Sequence, residues 1–201
     1  MSLEHAILGF LRYKPMSGYD LKKVFDTSVQ HFWSADQSQI YRTLGRLADR
    51  ELVQLEVVPQ SDRPDRKLYH ITPGGERELL QWMAAPVAYE HHRSAALIQV
   101  FFAAQLDDDE VLELFEHQVD LIRGHLAELE HIPRYVLAYA QEVDSARDAY
   151  FWKSTLELGI LSARAALAWL ESVIADIRND NVPKQGVPFT GPDSFLALPP
   201  S

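Results

Sequence analysis

Along the first eighty residues the apolar positions recur three and four apart in several runs, and each run is bounded by residues that start or stop helices. Leu3, Ala6, Ile7, Phe10 and Leu11 predict a helix over residues 2–13 with one buried stripe. Pro15 ends it, because proline drives the preceding residue out of the helical region. Ser17 with Asp20 three residues on is close to a capping box, opening a second helix that runs to about Thr27 and buries Leu21, Val24 and Phe25. An aromatic connector follows at His31, Phe32 and Trp33, and Asp36 then caps a third helix reaching about Glu51. The period next changes to two. Leu52–Val58 puts Val53, Leu55 and Val57 on one face, and Lys67–Ile71 does the same with Tyr69 and Ile71. The polar, proline-containing stretch from Pro59 to Arg66 joins them as a hairpin with a long tip. Thr72 caps and Pro73 takes the first position of a fourth helix, which is expected to bury Leu79, Leu80 and Met83.

The third helix has two unlike faces. Ile40, Leu44 and Leu47 form a buried stripe, while Gln39, Arg42, Arg46 and Arg50 recur elsewhere, with hydroxyls from Ser38 and Thr43 nearby. Arginines in register with a glutamine suit phosphates and base edges in a DNA major groove. An isolated helix of this kind could equally be a solvated face. The context decides: three helices, a hairpin loaded with Arg63, Arg66 and Lys67, and a further helix make a winged helix-turn-helix, whose third helix enters the major groove. The expected fold is therefore mainly α with a small β-hairpin wing. An N-terminal winged helix-turn-helix covers residues 1–84, a C-terminal helical domain 85–178, and a proline-rich tail 179–201. On this reading Gln39, Arg42 and Arg46 read or grip the groove, Tyr19 and Tyr41 touch backbone phosphates, and Arg63, Arg66 and Lys67 are the wing contacts. The alternative is a winged-helix protein-interaction module without specific DNA binding.

Three groups of residues also carry a family resemblance. Gly18-Tyr19-Asp20-Leu21, then Ile40-Tyr41-Arg42-Thr43-Leu44 through Leu47, then Arg66 to Thr72 with Gly75 and Leu79, resemble the PadR transcriptional regulators over about residues 3–84. The rest resembles that family's longer helical domain in architecture only. The resemblance implies a homodimeric DNA-binding regulator, usually a repressor, with phenolic acids or other small apolar effectors for some members. It also implies DNA contacts at the matching positions Ser38, Gln39, Tyr41, Arg42, Arg66 and Lys67. One position departs from it. Glu51 stands where the family usually has glycine, which takes a left-handed helix end at no steric cost, so the last turn and Arg50 are set apart from the expected contacts.

Beyond a link over residues 85–92 the pattern returns to helices. Residues 93–105 are expected to bury Leu97, Ile98, Phe101 and Phe102; Asp107 caps a helix to about His131; and a short helix over 134–143 carries Tyr135 and Tyr139. From about Asp144 to Arg178 one long helix holds Leu156, Ile160, Ala163, Leu167, Leu170, Ile174 and Ile177, alternating steps of four and three. That heptad seam is expected to pack on a partner subunit, giving a homodimer whose twofold axis presents two reading helices to double-stranded DNA. Packing within one chain is the alternative. The tail is either disordered or a strap anchored by Phe189, Phe195, Leu196 and Leu198.

Charge divides the chain as sharply as periodicity does. Residues 1–84 hold 11 Lys and Arg against 11 Asp and Glu, whereas residues 85–201 hold 8 against 18 and supply the whole net charge of −10. A local basic patch is what phosphate binding needs, and an acidic second half would steer DNA to the first. With no cysteine, no signal-peptide pattern and no unbroken apolar run near the length of a membrane span, a cytoplasmic protein is expected. Nor is an enzyme or a cofactor expected, since nucleophile-elbow, phosphate-loop and dinucleotide signatures are all missing. His117, Asp120, His125, Glu128 and His131 cluster on one helix, but a di-iron site needs a second Glu-x-x-His on a facing helix, so a solvated acidic face is preferred to a metal site. Phe101, Phe102, Tyr135, Tyr139, Trp152 and Trp169 supply aromatic surface for an apolar effector, with ordinary core packing as the alternative.

Overall fold

The structure, a computed structural model, describes residues 2–61, 65–88, 94–132, 143–184 and 186–187. Arg63, the short helix expected over 134–143 and the tail beyond Val187 lie outside the described residues. The chain divides into two compact units: Met1–His91 with Leu126–Ser162, and His92–His125 with Ala163–Ser201. This differs from the sequential division expected at residues 84 and 178.

In the first unit, helices α1 (Ser2–Tyr13), α2 (Gly18–Ser28) and α3 (Gln37–Asp49) precede strands β1 (Val53–Val58) and β2 (Arg66–Ile71), and α4 (Pro73–Ala84) follows. Both expected caps are complete boxes: Ser17 with Asp20 at α2, and Asp36 with Gln39 at α3. Thr72 accepts the Gly75 N–H at α4. One core joins Ile7, Leu8 and Leu11 of α1, Leu21 and Phe25 of α2, Ile40, Leu44 and Leu47 of α3, and Val53, Tyr69 and Leu79 beyond them. The strands pair antiparallel, Val53 opposite Ile71 and Val58 opposite Arg66. Met16 adds a bridge that periodicity cannot reveal in a single residue: its N–H and carbonyl exchange hydrogen bonds with Tyr69 at 3.2 and 2.9 Å, fastening the wing to the α1–α2 turn.

The end of α3 settles the question raised by Glu51. Its φ is 56°, so it takes the left-handed conformation that glycine would. The Leu52 N–H donates to the Leu47 carbonyl and the Glu51 N–H to the Ala48 carbonyl, both at 2.9 Å, the two bonds of a Schellman motif. Glu51 thus keeps the exit that glycine favours, at a backbone cost. Glu51→Gly is expected to stabilise the protein by about 0.5–1 kcal/mol, because the relieved strain exceeds the added freedom of the unfolded chain. Urea denaturation would show a higher midpoint, and an unchanged or lower one would contradict the account.

Close packing at Gly75 positions α4. A Cβ built there would lie 2.2 Å from the Leu52 carbonyl oxygen and 2.9 Å from the Ile71 side chain. Several expected core positions are not core. Leu55 and Val57 are exposed, because the hairpin projects beyond the helices and, of that face of β1, Val53 alone reaches the core. Leu80 and Met83 are exposed on α4, which meets α1 and β2 on one side only.

The first unit also holds the start of the last helix, α7 (Ala146–Arg178; α5 and α6 are given below). There the Tyr13 hydroxyl donates to Asp148 at 3.1 Å, its ring meets Trp152 edge-on at 5.7 Å, and a Cβ built at Gly159 would lie 3.4 Å from the His31 ring.

The second unit contains α5 (Ala95–Phe101), a 3₁₀ turn (Ala103–Gln105), most of α6 (Asp108–His131) and the later part of α7. Asp107 and Glu110 form a capping box at α6, as expected from Asp107. The heptad seam is spent inside the chain. Leu170, Ile174 and Ile177 share a core with Val111, Phe115 and Val119 of α6, and Leu167 packs against it. Leu156 and Ala163 are likewise buried and Ile160 half-buried in the single chain. Ion pairs Arg123–Glu171 at 2.8 Å and Arg178–Glu116 at 2.5 Å flank this antiparallel pairing. A seven-residue period specifies a buried stripe but not whose helix covers it, and here α6 carries the matching stripe.

Leu97, Ile98, Phe101 and Phe102, expected to be buried, are exposed instead, Phe101 by 80%. α7 also overturns the expectation that nothing is apolar enough to span a membrane. An 18-residue window in it has mean hydropathy 1.5, so by length and composition it qualifies. The expectation counted unbroken apolar runs, whereas a windowed mean tolerates isolated charges. The ion pairs to α6 and the packing of Leu170, Ile174 and Ile177 on it tie the end of this helix to α6, while 17% of that window is buried.

Candidate nucleic-acid interface

The buried stripe of α3 faces the core, leaving Ser38, Gln39, Tyr41, Arg42, Gly45 and Arg46 exposed along the rest of the helix. The arginines do not form one uniform row. Arg46 Nε lies 3.3 Å from Glu4 Oε1, and its Nη2 donates to the Thr43 hydroxyl at 3.1 Å. Thr43 is buried, a scaffold for Arg46 and not the accessible hydroxyl expected of it. Arg50 is fully engaged, Nη1 on Glu4 at 3.0 Å and Nη2 on Glu78 at 3.4 Å. Among the described residues Arg42 is held more loosely, by a long 3.4 Å bond from Nε to the Ser38 carbonyl and by the attraction of the Asp36 carboxylate. It therefore offers the planar fork that pairs with guanine or phosphate.

A cleft of about 330 Å³ brings Gln39, Arg42 and Arg46 together with Trp33 and Ser34 of the connector. Gln39 and Ser38 are partly occupied by the cap. The Gln39 side-chain carbonyl accepts the Asp36 N–H at 3.0 Å, and the Ser38 hydroxyl donates to Asp36 at 2.7 Å. Those bonds, from Ser38 first and then the Gln39 N–H, hold the Asp36 carboxyl below the usual carboxylate range. An ionised cap at the helix N-terminus stabilises α3, and the Gln39 amide group remains available as a donor.

On the other flank Tyr41 lies over Gly18. A Cβ at Gly18 would come within 2.5 Å of the Tyr41 ring, so only glycine lets α2 approach and hold that ring in place. Tyr19, next along α2, is exposed. The wing is tied to the same helix. Arg66 Nη2 donates to Asp20 Oδ2 at 2.7 Å, on the carboxylate that caps α2 through Ser17. Burial pushes the Asp20 carboxyl up, but hydrogen bonds from Ser17 and Arg66 outweigh it and hold it below the usual range. Arg66 is thus a tether of the wing, while Lys67 stands exposed beside it on β2.

Sequence reasoning missed Glu4, Glu78 and Gly18. The acids lie on other helices, so no local spacing announced them, whereas a glycine at the first position of α2, next to Tyr19, was a legible sign of close approach.

The second unit contains a cavity of about 590 Å³, lined mainly by apolar residues including Val100, Leu106, Val111, Phe115, Ile177 and Val182. Among the aromatic residues expected to line an effector cavity, Phe101 and Phe102 are exposed, Trp152 stacks edge-on against Tyr13, Trp169 is exposed, and Tyr135 and Tyr139 lie outside the described residues. Among the described residues no group of three or more His, Cys, Asp or Glu is arranged to hold a metal ion.

Comparison with known proteins places this geometry. A profile of the transcriptional regulator PadR-like family matches residues 7–81, and one described as virulence activator alpha C-term matches residues 92–178. The negative transcriptional regulator PadR of Bacillus subtilis is 28% identical over 180 residues, spanning 89% of this chain and 98% of that protein. The crystal structure of Bacillus subtilis PadR in complex with operator DNA superposes with a TM-score of 0.76 at 27% identity, covering 88% of this chain and 99% of that one. Its complex with p-coumaric acid gives a TM-score of 0.72 at 27% identity, covering 88% and 95%.

Proposed function

We propose that this chain, whose residues 7–81 match the transcriptional regulator PadR-like family, acts in the cytoplasm as a repressor, binding a palindromic operator as a homodimer. The observation that carries this reading is Arg42. It is the least restrained arginine of α3, on a helix whose flanks are braced by Glu4 and Gly18, in a fold that superposes on a regulator solved with its operator. Arg42, Arg46 and the Gln39 amide grip the major groove, Ser38, Tyr19 and Tyr41 meet backbone phosphates, and Lys67 with Arg63 and Arg66 holds DNA beside the groove.

A second copy is supported by apolar side chains that the single chain leaves in water. α5 exposes Leu97, Ile98, Phe101 and Phe102, and α7 exposes Tyr150, Phe151, Leu158 and Leu161. Large apolar side chains left in water on each unit are what an interface would cover. Leu170, Ile174 and Ile177 of the heptad seam pack on α6 and are set apart from that surface. A twofold dimer reads a palindrome, so selection of bound sequences from random DNA is the direct test. A palindromic motif with half-sites one helical turn apart is expected. Salt-insensitive binding with no recoverable motif would sink the proposal.

A small apolar or phenolic effector completes it, supported by the cavity in the second unit and by the relative solved with p-coumaric acid. The effector releases DNA by favouring one arrangement of the two reading heads; equal affinity for both arrangements would shift nothing. Lys67→Ala is expected to weaken operator and scrambled duplexes alike and to lower the salt slope by about one unit, the signature of one lost phosphate contact. Titrations at several salt concentrations read both, and an unchanged slope removes Lys67 from the interface.

A further inference from the structure

We propose that Glu4 is a positioning residue for operator recognition, fixing Arg46 in one orientation and withholding Arg50 from DNA. The inference rests on the DNA-binding reading above. Glu4 lies on α1, behind the reading helix, with its side chain only 12% exposed. Its two carboxylate oxygens serve two guanidinium groups: Oε1 meets Arg46 Nε at 3.3 Å and Oε2 meets Arg50 Nη1 at 3.0 Å.

Arg46 is then held at two points, Nε by Glu4 and Nη2 by the buried Thr43 hydroxyl, which leaves its Nη1 edge directed away from both. A long side chain ordered before DNA arrives loses less rotamer freedom on binding, which is preorganisation. Arg50 has both of its amino groups on carboxylates. Its second amino group is taken by Glu78, whose Oε1 also lies 3.4 Å from His5 Nε2, and the His5 ring stacks on Trp82 at 4.5 Å. The acids therefore divide the arginine row. Arg42 is left to adapt, Arg46 is presented in one pose, and Arg50 joins α3 to α1 and α4.

Removing the Glu4 charge has two opposite consequences. A negative charge beside the phosphates is gone, so non-specific affinity rises. Arg46 also samples several rotamers, so the preference for operator over unrelated DNA falls. The test is fluorescence-anisotropy titration of the full chain, as wild type, E4Q, R46A and E4Q/R46A, against the selected operator and a scrambled duplex at fixed salt. E4Q is expected to bind the scrambled duplex several-fold more tightly and to lose about tenfold in the operator-to-scrambled ratio, the size of one good base pairing. In the R46A background E4Q should leave the ratio unmoved.

A wild-type ratio in E4Q overturns the proposal, and so does a tenfold loss that persists without Arg46, which would make Glu4 a purely structural residue. Should E4Q fail to melt cooperatively, E4D keeps the charge but draws it back from Arg46. An intermediate ratio is then expected, and a wild-type ratio overturns the proposal. Failure of the wild-type protein itself to discriminate the two duplexes would instead overturn the DNA-binding reading.

Discussion

Arg42→Ala is expected to weaken operator binding by about 1–3 kcal/mol at each half-site, the discrimination carried by one bidentate base pairing. Two reading helices in a twofold dimer double this to about 2–6 kcal/mol, the largest effect expected of any single change in the interface. The reason lies in what each arginine already holds. Arg50 has both amino groups on carboxylates and Arg46 is tied to Glu4 and Thr43, while Arg42, among the described residues, has a 3.4 Å bond to the Ser38 carbonyl and the attraction of Asp36. The loss should fall on the operator far more than on scrambled DNA, since a base contact is being removed. An equal loss on both duplexes would reassign Arg42 to the phosphate backbone, and no loss at all would remove it from the interface. Arg50→Ala provides the contrast: it should lower the melting temperature with little change in affinity per folded molecule.

Phe25→Ala should cost about 3–5 kcal/mol of stability, as buried phenylalanines do when the cavity they leave cannot collapse. Phe25 is 1% exposed and meets Phe10 edge-on at 5.1 Å, in the core that joins α1, α2, α3 and the wing. A loss of that size is a large part of the roughly 5–15 kcal/mol that keeps a domain folded. For a unit of this size it corresponds to a fall of about 4–8 °C in melting temperature for each kcal/mol. Calorimetry of the full chain would show it in the transition that includes the winged helix. A shift of only a degree or two would mean that the neighbours refill the site. The folded fraction should bind operator with wild-type affinity, because Phe25 is buried in the core and not part of the exposed face of α3.

The winged helix was legible because local chemistry and global packing agree there. Ser17 with Asp20, Asp36 with Gln39, and Thr72 before Pro73 each announce a helix start, and each forms its cap in the folded protein. Glu51 shows the same agreement at a helix end. Its departure from glycine raised the question of a different exit, yet Leu52 and Glu51 close both Schellman bonds. Tertiary packing holds a non-glycine residue at a φ of 56°. What could not be read is which of several apolar stripes has a cover. Leu170, Ile174 and Ile177 repeat like a seam between subunits and are buried in their own chain, whereas Leu97, Ile98, Phe101 and Phe102 look like core and stand in water.

Periodicity and capping act between residues a few positions apart, so the number of helices, the two-stranded wing and the polar face of α3 follow from the order of residues alone. Pairing acts through space. Which guanidinium meets which carboxylate depended on α1 packing against α3 and α4, bringing Glu4 to Arg50 across a sequence separation of 46 and Glu78 to Arg50 across one of 28. Three arginines that are equivalent in sequence thereby become one adaptable contact, one held in a single pose and one structural brace.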